Sequence, residues 1–440
     1  MVYNRNSFSI NTDITLIGSN QGSFRMTVDG SSATTNNIIS LEINARDSAF
    51  IFLEVTPDNS PNEYILTTQV IFNTGNNQQS VDLVAPYRDA YFHILKDNLF
   101  TNTNGEIINY RYYSIDSHTT WSADKAHVVY GSIVIEPDAS LTIEEGTKVY
   151  FHNNSGIYVG NPILVNSSNV PENNGSLIIN GCLGNEVTFQ GDRLDEWYKD
   201  LPGQWGSITF VPGSQNNSIN YAIIKNGTVG IRADSTVGNN PVVELNNTII
   251  RNMSSIGILG QGSWITANNC LVSNCGQYTL ACNIGGEYSF KHCTFANYWY
   301  YNARNTPSIL LNNYYEDTQG NTRIRELKDA YFGNCIIAGN LSTEVSFQKN
   351  EGANFNYNFD HCLIKLDPAE ETNTPNYNNC IINQNPAFTE YLEGDFSLTE
   401  ISPAIDAADP NITISESILM TGLSGNTRDN NPDIGALENP

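Results

Sequence analysis

The stretch that decides the fold is "NNCLV", Asn268 to Val272, because it comes back. "KHCTF" stands at Lys291, "GNCII" at Gly333, "DHCLI" at Asp360 and "NNCII" at Asn378. With the cysteine relaxed to any small residue, "NYAII" at Asn220 and "NNTII" at Asn246 join the series. The starts at 220, 246, 268, 291, 333, 360 and 378 are 26, 22, 23, 42, 27 and 18 residues apart. A short β-rich unit repeating at such a period predicts a parallel β-solenoid, whose layers stack at about 4.8 Å and pile equivalent side chains into columns. The small column (Cys, Ala, Thr) points into a crowded interior. The residue two further on (Ile224, Ile250, Val272, Phe295, Ile337, Ile364, Ile382) points the same way and fills it. The polar residue just before (Tyr221, Asn247, Asn269, His292, Asn334, His361, Asn379) is suited to bond a turn backbone or to stack on its equals. The interval of 42 is close to two turns and predicts an intervening turn with a degenerate motif, at "PSILLNNYY" (Pro307–Tyr315).

By strand alternation the residue between the two inward positions faces outward, yet it is mostly apolar: Ile223, Ile249, Leu271, Thr294, Ile336, Leu363 and Ile381. Monomers rarely leave such a stripe bare, so cover by a loop or by the N-terminal domain is expected, the alternative being a partner surface. Upstream, "GSIVIEPDASLTIEEGTKVYF" (Gly131–Phe151) and "WGSITFVPGSQNNSINYAIIKNGTVGI" (Trp205–Ile231) alternate apolar and polar residues between turn formers. That is strand patterning; no stretch reads as a convincing amphipathic helix.

The first 90 residues differ. Five short β-rich runs separated by turn clusters, from "SFSINTDITLIG" to "QSVDLVAPYR", predict a small immunoglobulin-like β-sandwich. The organisation expected is all-β: a sandwich at 1–90, a linker rich in Asn and Tyr at 91–122, a parallel β-helix at 123–400 and a C-terminal cap at 401–440. The opening "MVYNRNSFSI" lacks the basic and apolar regions of a signal peptide and reads as mid-strand, so the sandwich is expected to lack its first strand.

The chain of 440 residues carries a net charge of −25, from 21 basic against 46 acidic residues. Such a surface does not neutralise phosphates, which excludes nucleic acid as the expected partner. It also disfavours polyanionic substrates unless a local basic site intervenes. No run approaches the ~20 apolar residues of a membrane helix. Five of the eight cysteines share one repeat position, which predicts free buried thiols rather than disulfides. The arrangement of Cys275 and Cys282 is left open. No cysteine cluster has zinc spacing. A phosphate-binding loop, a dinucleotide fingerprint and a GxSxG elbow are all absent.

Two segments are candidate binding sites. "GDRLDEWYKDLPGQW" (Gly191–Trp205) offers Asp192, Arg193, Trp197 and Tyr198; "NYWYYNARNTP" (Asn297–Pro307) offers Tyr298, Trp299, Tyr300, Tyr301 and Arg304. Aromatic plates beside Asn, Asp and Arg match the apolar faces and hydroxyl rims of sugars. The competing reading is that these aromatics pack the loops onto the scaffold. Arg232, Asp234 and Arg251 in neighbouring repeats are a thin catalytic set that surface ion pairs would equally explain. Asp406, Asp409, Asp433 and Glu438 are oxygen donors of the kind Ca2+ takes, and the alternative is that they cap turns; no other cofactor is expected.

The tail "SPAIDAADP" (Ser402–Pro410) with "NTRDNNPDIGALE" (Asn426–Glu438) resembles the C-terminal pattern of right-handed parallel β-helix proteins of the pectate-lyase-like superfamily, in the choice-of-anchor Q group. "FQGDRLDEWYKDLPGQWGSI", "IIRNMSSIGI" and "HCTFANYW" are similar to surface lipoproteins of gut bacteria. The resemblance spans nearly the whole chain and implies a location at the cell surface. It is specific for fold and poor for function. Enzymes of the superfamily are polysaccharide lyases or glycoside hydrolases, which need carboxylates on adjacent layers. No column of the cysteine repeat carries two acidic residues in succession. The expectation is therefore a non-catalytic surface protein, binding glycans or acting as an adhesin. The alternatives are a lyase or hydrolase, and a purely structural surface protein.

Overall fold

In a computed structural model, which describes residues 1–17, 23–33, 38–56, 65–86, 89–101, 105–166 and 173–439, the chain is nearly all β, with long parallel sheets. It divides into two compact units: Met1–Asp89 together with Arg193–Tyr198, and Ala90–Asp192 together with Lys199–Pro440.

In the first unit, Ile39–Ile43, Ile10–Ile17, Ile65–Thr74 and Asn77–Pro86 form one antiparallel sheet in that order. Ser31–Ala33, Phe24–Val28 and Ile51–Val55 form a second. Alternate residues of both sheets, among them Ile14, Leu16, Met26, Val28, Ile43 and Val70, share one apolar core. This follows from period-2 patterning, which gives each strand one apolar face.

In the second unit the cysteine motif generates an 11-stranded sheet, parallel throughout. Ile224, Ile250, Val272, Phe295, Ile337, Ile364 and Ile382 lie in register as a single column. All but the terminal Ile382 are fully buried, and each such side chain contributes about 1.5–3 kcal/mol by leaving water. Cys270, Cys293, Cys335, Cys362 and Cys380 stack beside them, each thiol in contact with the next. All eight cysteines are free, Cys275 and Cys282 among them, and both of these are buried.

The turn preceding each cysteine explains the polar column. Tyr221, Asn247, Asn269, His292, Asn334, His361 and Asn379 all adopt positive φ, between 46° and 54°. Asparagine tolerates this left-handed region better than other residues with a Cβ. Their side chains also bond along the stack. Asn247 Nδ2 donates to Asn220 Oδ1 at 3.0 Å, Asn269 Nδ2 to Asn247 Oδ1 at 3.2 Å, and Asn379 Nδ2 meets His361 Nε2 at 3.1 Å. Asn247→Ala keeps the strained φ and loses both bonds, so it is expected to cost about 2–3 kcal/mol, whereas Asn247→Gly relieves the backbone and costs about 1 kcal/mol less. Urea unfolding of the two variants measures the difference; equal midpoints would contradict this account.

The interval of 42 residues is not two turns. Thr294 pairs directly with Ile336, and Phe295 with Ile337, so Cys293 and Cys335 occupy adjacent layers. The extra length is a hairpin, Tyr314–Glu316 against Thr322–Ile324, that interrupts one layer. Ile309–Asn312, within the stretch expected to form its own turn, pairs in parallel with the first part of the strand Leu280–Lys291, at Leu280–Cys282, while Leu327–Gly333 pairs with its second part, Gly286–Lys291. A single layer thus carries both pieces. Residues 91–122 likewise contribute strands to this unit: His93 pairs with Val129, and Ile115 with Ile135.

The outward apolar stripe is covered by the chain itself. Leu271, Ile336 and Leu363 pack with Phe388, Phe396, Leu398, Ala404, Leu423 and Ile434 of the C-terminal segment. A buried polar clasp locks that segment down. Arg428 reaches Glu438 at 2.7 Å, the Gly435 carbonyl at 2.9 Å and Asn269 Oδ1 at 3.3 Å. His292 Nε2 lies 2.8 Å from Thr413 Oγ1. The polar turn column is therefore also the surface to which the C-terminal segment bonds.

Candidate functional site

The predicted binding residues fall in different surroundings. Asp192 is bonded to His152 Nδ1 at 2.8 Å. Arg193, Trp197 and Tyr198 group with the N-terminal unit. There Arg193 pairs with Asp195 at 2.7 Å and lies 3.9 Å over the Tyr198 ring, and Trp197 is 85% exposed. In the second segment, Tyr298 packs edge-on to Phe388 and tilted against Tyr391 and Phe396. Trp299 is buried and donates to Asn302 Oδ1 at 2.9 Å. Arg304 is buried in a bidentate ion pair with Glu344, at 2.7 and 2.8 Å. Tyr300 is exposed and stacks on Tyr301 at 4.5 Å, whose hydroxyl donates to the Asp200 carbonyl. Arg232 pairs with Asp234 at 2.9 Å.

The carboxylates considered for calcium are engaged by protein donors. Asp409 caps the short helix Pro410–Thr413, Asp433 accepts the N–H groups of Asp406 and Asn439, and Glu438 holds Arg428. Asp406 itself sits at a φ of 54°. Among the described residues no group of three or more His, Cys, Asp or Glu is placed to hold a metal ion.

A concavity lies elsewhere, on the 18-stranded sheet where the register of its strands slips. It holds about 520 Å3 and is lined by Trp264, Ile284, Glu287, Arg325, Glu326 and Lys328, with Thr236, Asn239 and Ser263 at its sides. The slip has a backbone cause. The register slips between Gln261 and Ser263 and again at Gly286, and Ile284, Gly285 and Gly286 have φ of 61°, 70° and 117° in succession. A Cβ on Gly285 would lie 2.2 Å from the Glu326 carbonyl, so glycine is required there. A β-branched residue such as Ile284 in the left-handed region stores strain, a feature that gathers at ligand sites.

Register then assembles the side chains. Trp264 is the strand partner of Glu287, and Glu287 of Asp329, on three successive layers. Loss of water pushes the Asp329 carboxyl above the usual range; the Ala330 N–H works against this, and the Glu287 charge adds to it. The inserted hairpin delivers Arg325 to the rim, where Nη1 donates to Ser235 Oγ at 2.7 Å. Aromatic face, acceptors and cationic donors thus converge on one pocket of ligand size. The chain's own sequence contained two signals for it: the run "NIGGEY" (Asn283–Tyr288) and the irregular interval of 42. No protein-family model matches the chain, and no curated protein matches it.

Proposed function

We infer that the protein is a right-handed parallel β-helix of the pectate-lyase-like, choice-of-anchor Q type, carrying an N-terminal immunoglobulin-like sandwich, and that it binds glycans at a bacterial cell surface without cleaving them. The observation that carries the binding reading is the pocket beside Trp264, in which an indole, carboxylates and cationic donors converge on a rigid sheet. An indole face takes the C–H side of a sugar ring, while charged groups bond its hydroxyls. The non-catalytic part rests on the column Thr209, Arg232, Leu259, Ala281, Leu310 and Ser346, which carries no carboxylate; the column through Trp264 does carry two, Glu287 and Asp329 on successive layers. The test is a glycan array probed with the intact chain and with Trp264→Ala. Binding lowered about tenfold or more by the substitution supports the reading, and unchanged binding removes the pocket from it.

A second reading, a glycoside hydrolase, is favoured by one specific observation: Glu287 and Asp329 are strand partners, and Asp329 is pushed toward the protonated form. Release of reducing ends from array-positive glycans, abolished by Glu287→Gln, would establish it in place of the binding role.

A further inference from the structure

We propose that the layered unit holds a phosphate dianion, free or as a monoester, at Lys225 and Arg251, a site separate from the Trp264 pocket. Lys225 and Arg251 are strand partners on adjacent layers, and Ser273 is the next residue of the same column. Like charges directly opposite on strands about 4.8 Å apart destabilise a sheet unless an anion offsets them. Solvent does little to screen this pair: the Lys225 side chain is 15% exposed, and Arg251 is half-buried with its Nε fully enclosed. Loss of water pushes the Lys225 ammonium below its ordinary value. The Arg251 charge adds to this, the Asp200 carboxylate works against it, and Lys199 brings a third cation close.

The donors here are under-used. Among the described residues the Arg251 side chain bonds no acceptor, and the buried Ser273 hydroxyl beside it has no partner. Lys225 Nζ reaches only the Asp200 carboxylate and the Lys199 carbonyl, at the long distances of 3.4 and 3.5 Å. Buried donors are rarely left unpaired, and register sets these three on one face. Their surroundings are rigid. Asn226 and Asn252, at φ of 67° and 55° in the turns after the two cations, donate to the Lys199 carbonyl at 2.7 Å and the Asp200 carbonyl at 3.4 Å. The Tyr301 hydroxyl donates to the same Asp200 carbonyl at 2.7 Å. The hairpin turn at Gly394 also reaches the site, since a Cβ there would stand 3.2 Å from Arg251 Nη1. Lys199, Lys225 and Arg251 against Asp200 leave two positive charges, in a chain of net charge −25. A phosphate monoester carries about −1.5 to −2 at pH 7 with three acceptor oxygens, a match that the single charge of a carboxylate does not reach. The guanidinium fork grips two of those oxygens, and the ammonium and the hydroxyl take the rest.

The experiment is calorimetric titration of the intact chain with inorganic phosphate, glycerol 3-phosphate and acetate at constant ionic strength. Phosphate or its monoester is expected to bind at least about tenfold tighter than acetate, and the first two arms separate the free ion from the ester. Arg251→Gln should lower that affinity about tenfold or more, and Arg251→Lys should recover little of it, because an ammonium lacks the fork. Lys225→Met, which keeps the aliphatic stem, should lose as much. Its thermal midpoint without phosphate should equal or exceed that of the wild type, because the opposed charge is gone, so the lost binding is not lost folding. Equal affinity for phosphate and acetate, or phosphate affinity unchanged in both Arg251→Gln and Lys225→Met, overturns the site. Neither result touches the glycan reading, which is tested at Trp264.

Discussion

Arg304→Ala is expected to destabilise the layered unit by about 3–5 kcal/mol, the cost of stranding one charge of a buried pair. Both side chains of the Arg304–Glu344 pair are fully buried. Glu344 accepts from Arg304 and from the backbone N–H groups of Ser308 and Leu341. Arg304 also ties the carbonyls of Asn297 and Thr306 and the side chain of Asn340. It therefore holds together the ends of a segment that would otherwise leave several carbonyls without donors. Removing the guanidinium leaves a carboxylate in a dry site. The paired replacement Arg304→Met with Glu344→Leu should recover much of the loss, because no charge is then stranded. Urea unfolding of the single and double variants decides this. A loss below about 1 kcal/mol for Arg304→Ala would mean that water reaches Glu344.

Acidification should weaken the same unit at its other end. His93 and His127 are buried, 3.0 Å apart between Nε2 and Nδ1, and both stack on Trp121, at 4.4 and 4.3 Å. Burial pushes each imidazole down to about 4; His127 weakens His93 further, and for His127 the Ser122 backbone and the Asp124 charge work in the opposite direction. Above pH ~6.5 neither the folded nor the unfolded imidazole is charged, and the contribution to stability is full. As pH falls from there toward 4, the unfolded chain takes up protons that the folded one refuses, and stability drops. Below about 4 the loss is complete, on the order of 3 kcal/mol for each ring. Denaturant unfolding at pH 7 and pH 4.5 measures it. His127→Phe, which keeps an aromatic plate against Trp121, should flatten the pH dependence, and an identical slope in the variant would assign the effect to other groups.

Much of the layered architecture was legible from the sequence because its determinants are local. A small residue, an aliphatic two positions on and an asparagine suited to a left-handed turn recur within five letters, and each does in the structure what its chemistry requires. The interval after Lys291 was misread for an equally physical reason. "PSILLNNYY" has the composition of a complete strand-bearing turn, but the hairpin after it restarts the strand within the same layer, and only pairing reveals that. The pocket was illegible for the same cause. Trp264 and Glu287, which both line it, stand 23 positions apart in the chain and meet only through register. Arg325 arrives on an insertion that no repeat column contains. The aromatic segment at 297–307 was visible as composition, but burial of Arg304 depends on Glu344, 40 residues away, and burial of Trp299 on packing that local patterning does not encode.

The column of thiols has a practical corollary. Burial pushes the Cys270, Cys282 and Cys335 groups up, and Cys275 to about 12, so in the native protein they are protonated and shielded from alkylating agents. Cys380, on the last layer, is the half-buried member of the ladder; its thiol too is pushed up, by its bond to Cys362 and by burial, so access alone sets it apart. Labelling with iodoacetamide over time would therefore act as a depth gauge: Cys380 marked first, Cys362 after the terminal layer frays, and the inner sulfurs only when the stack itself opens.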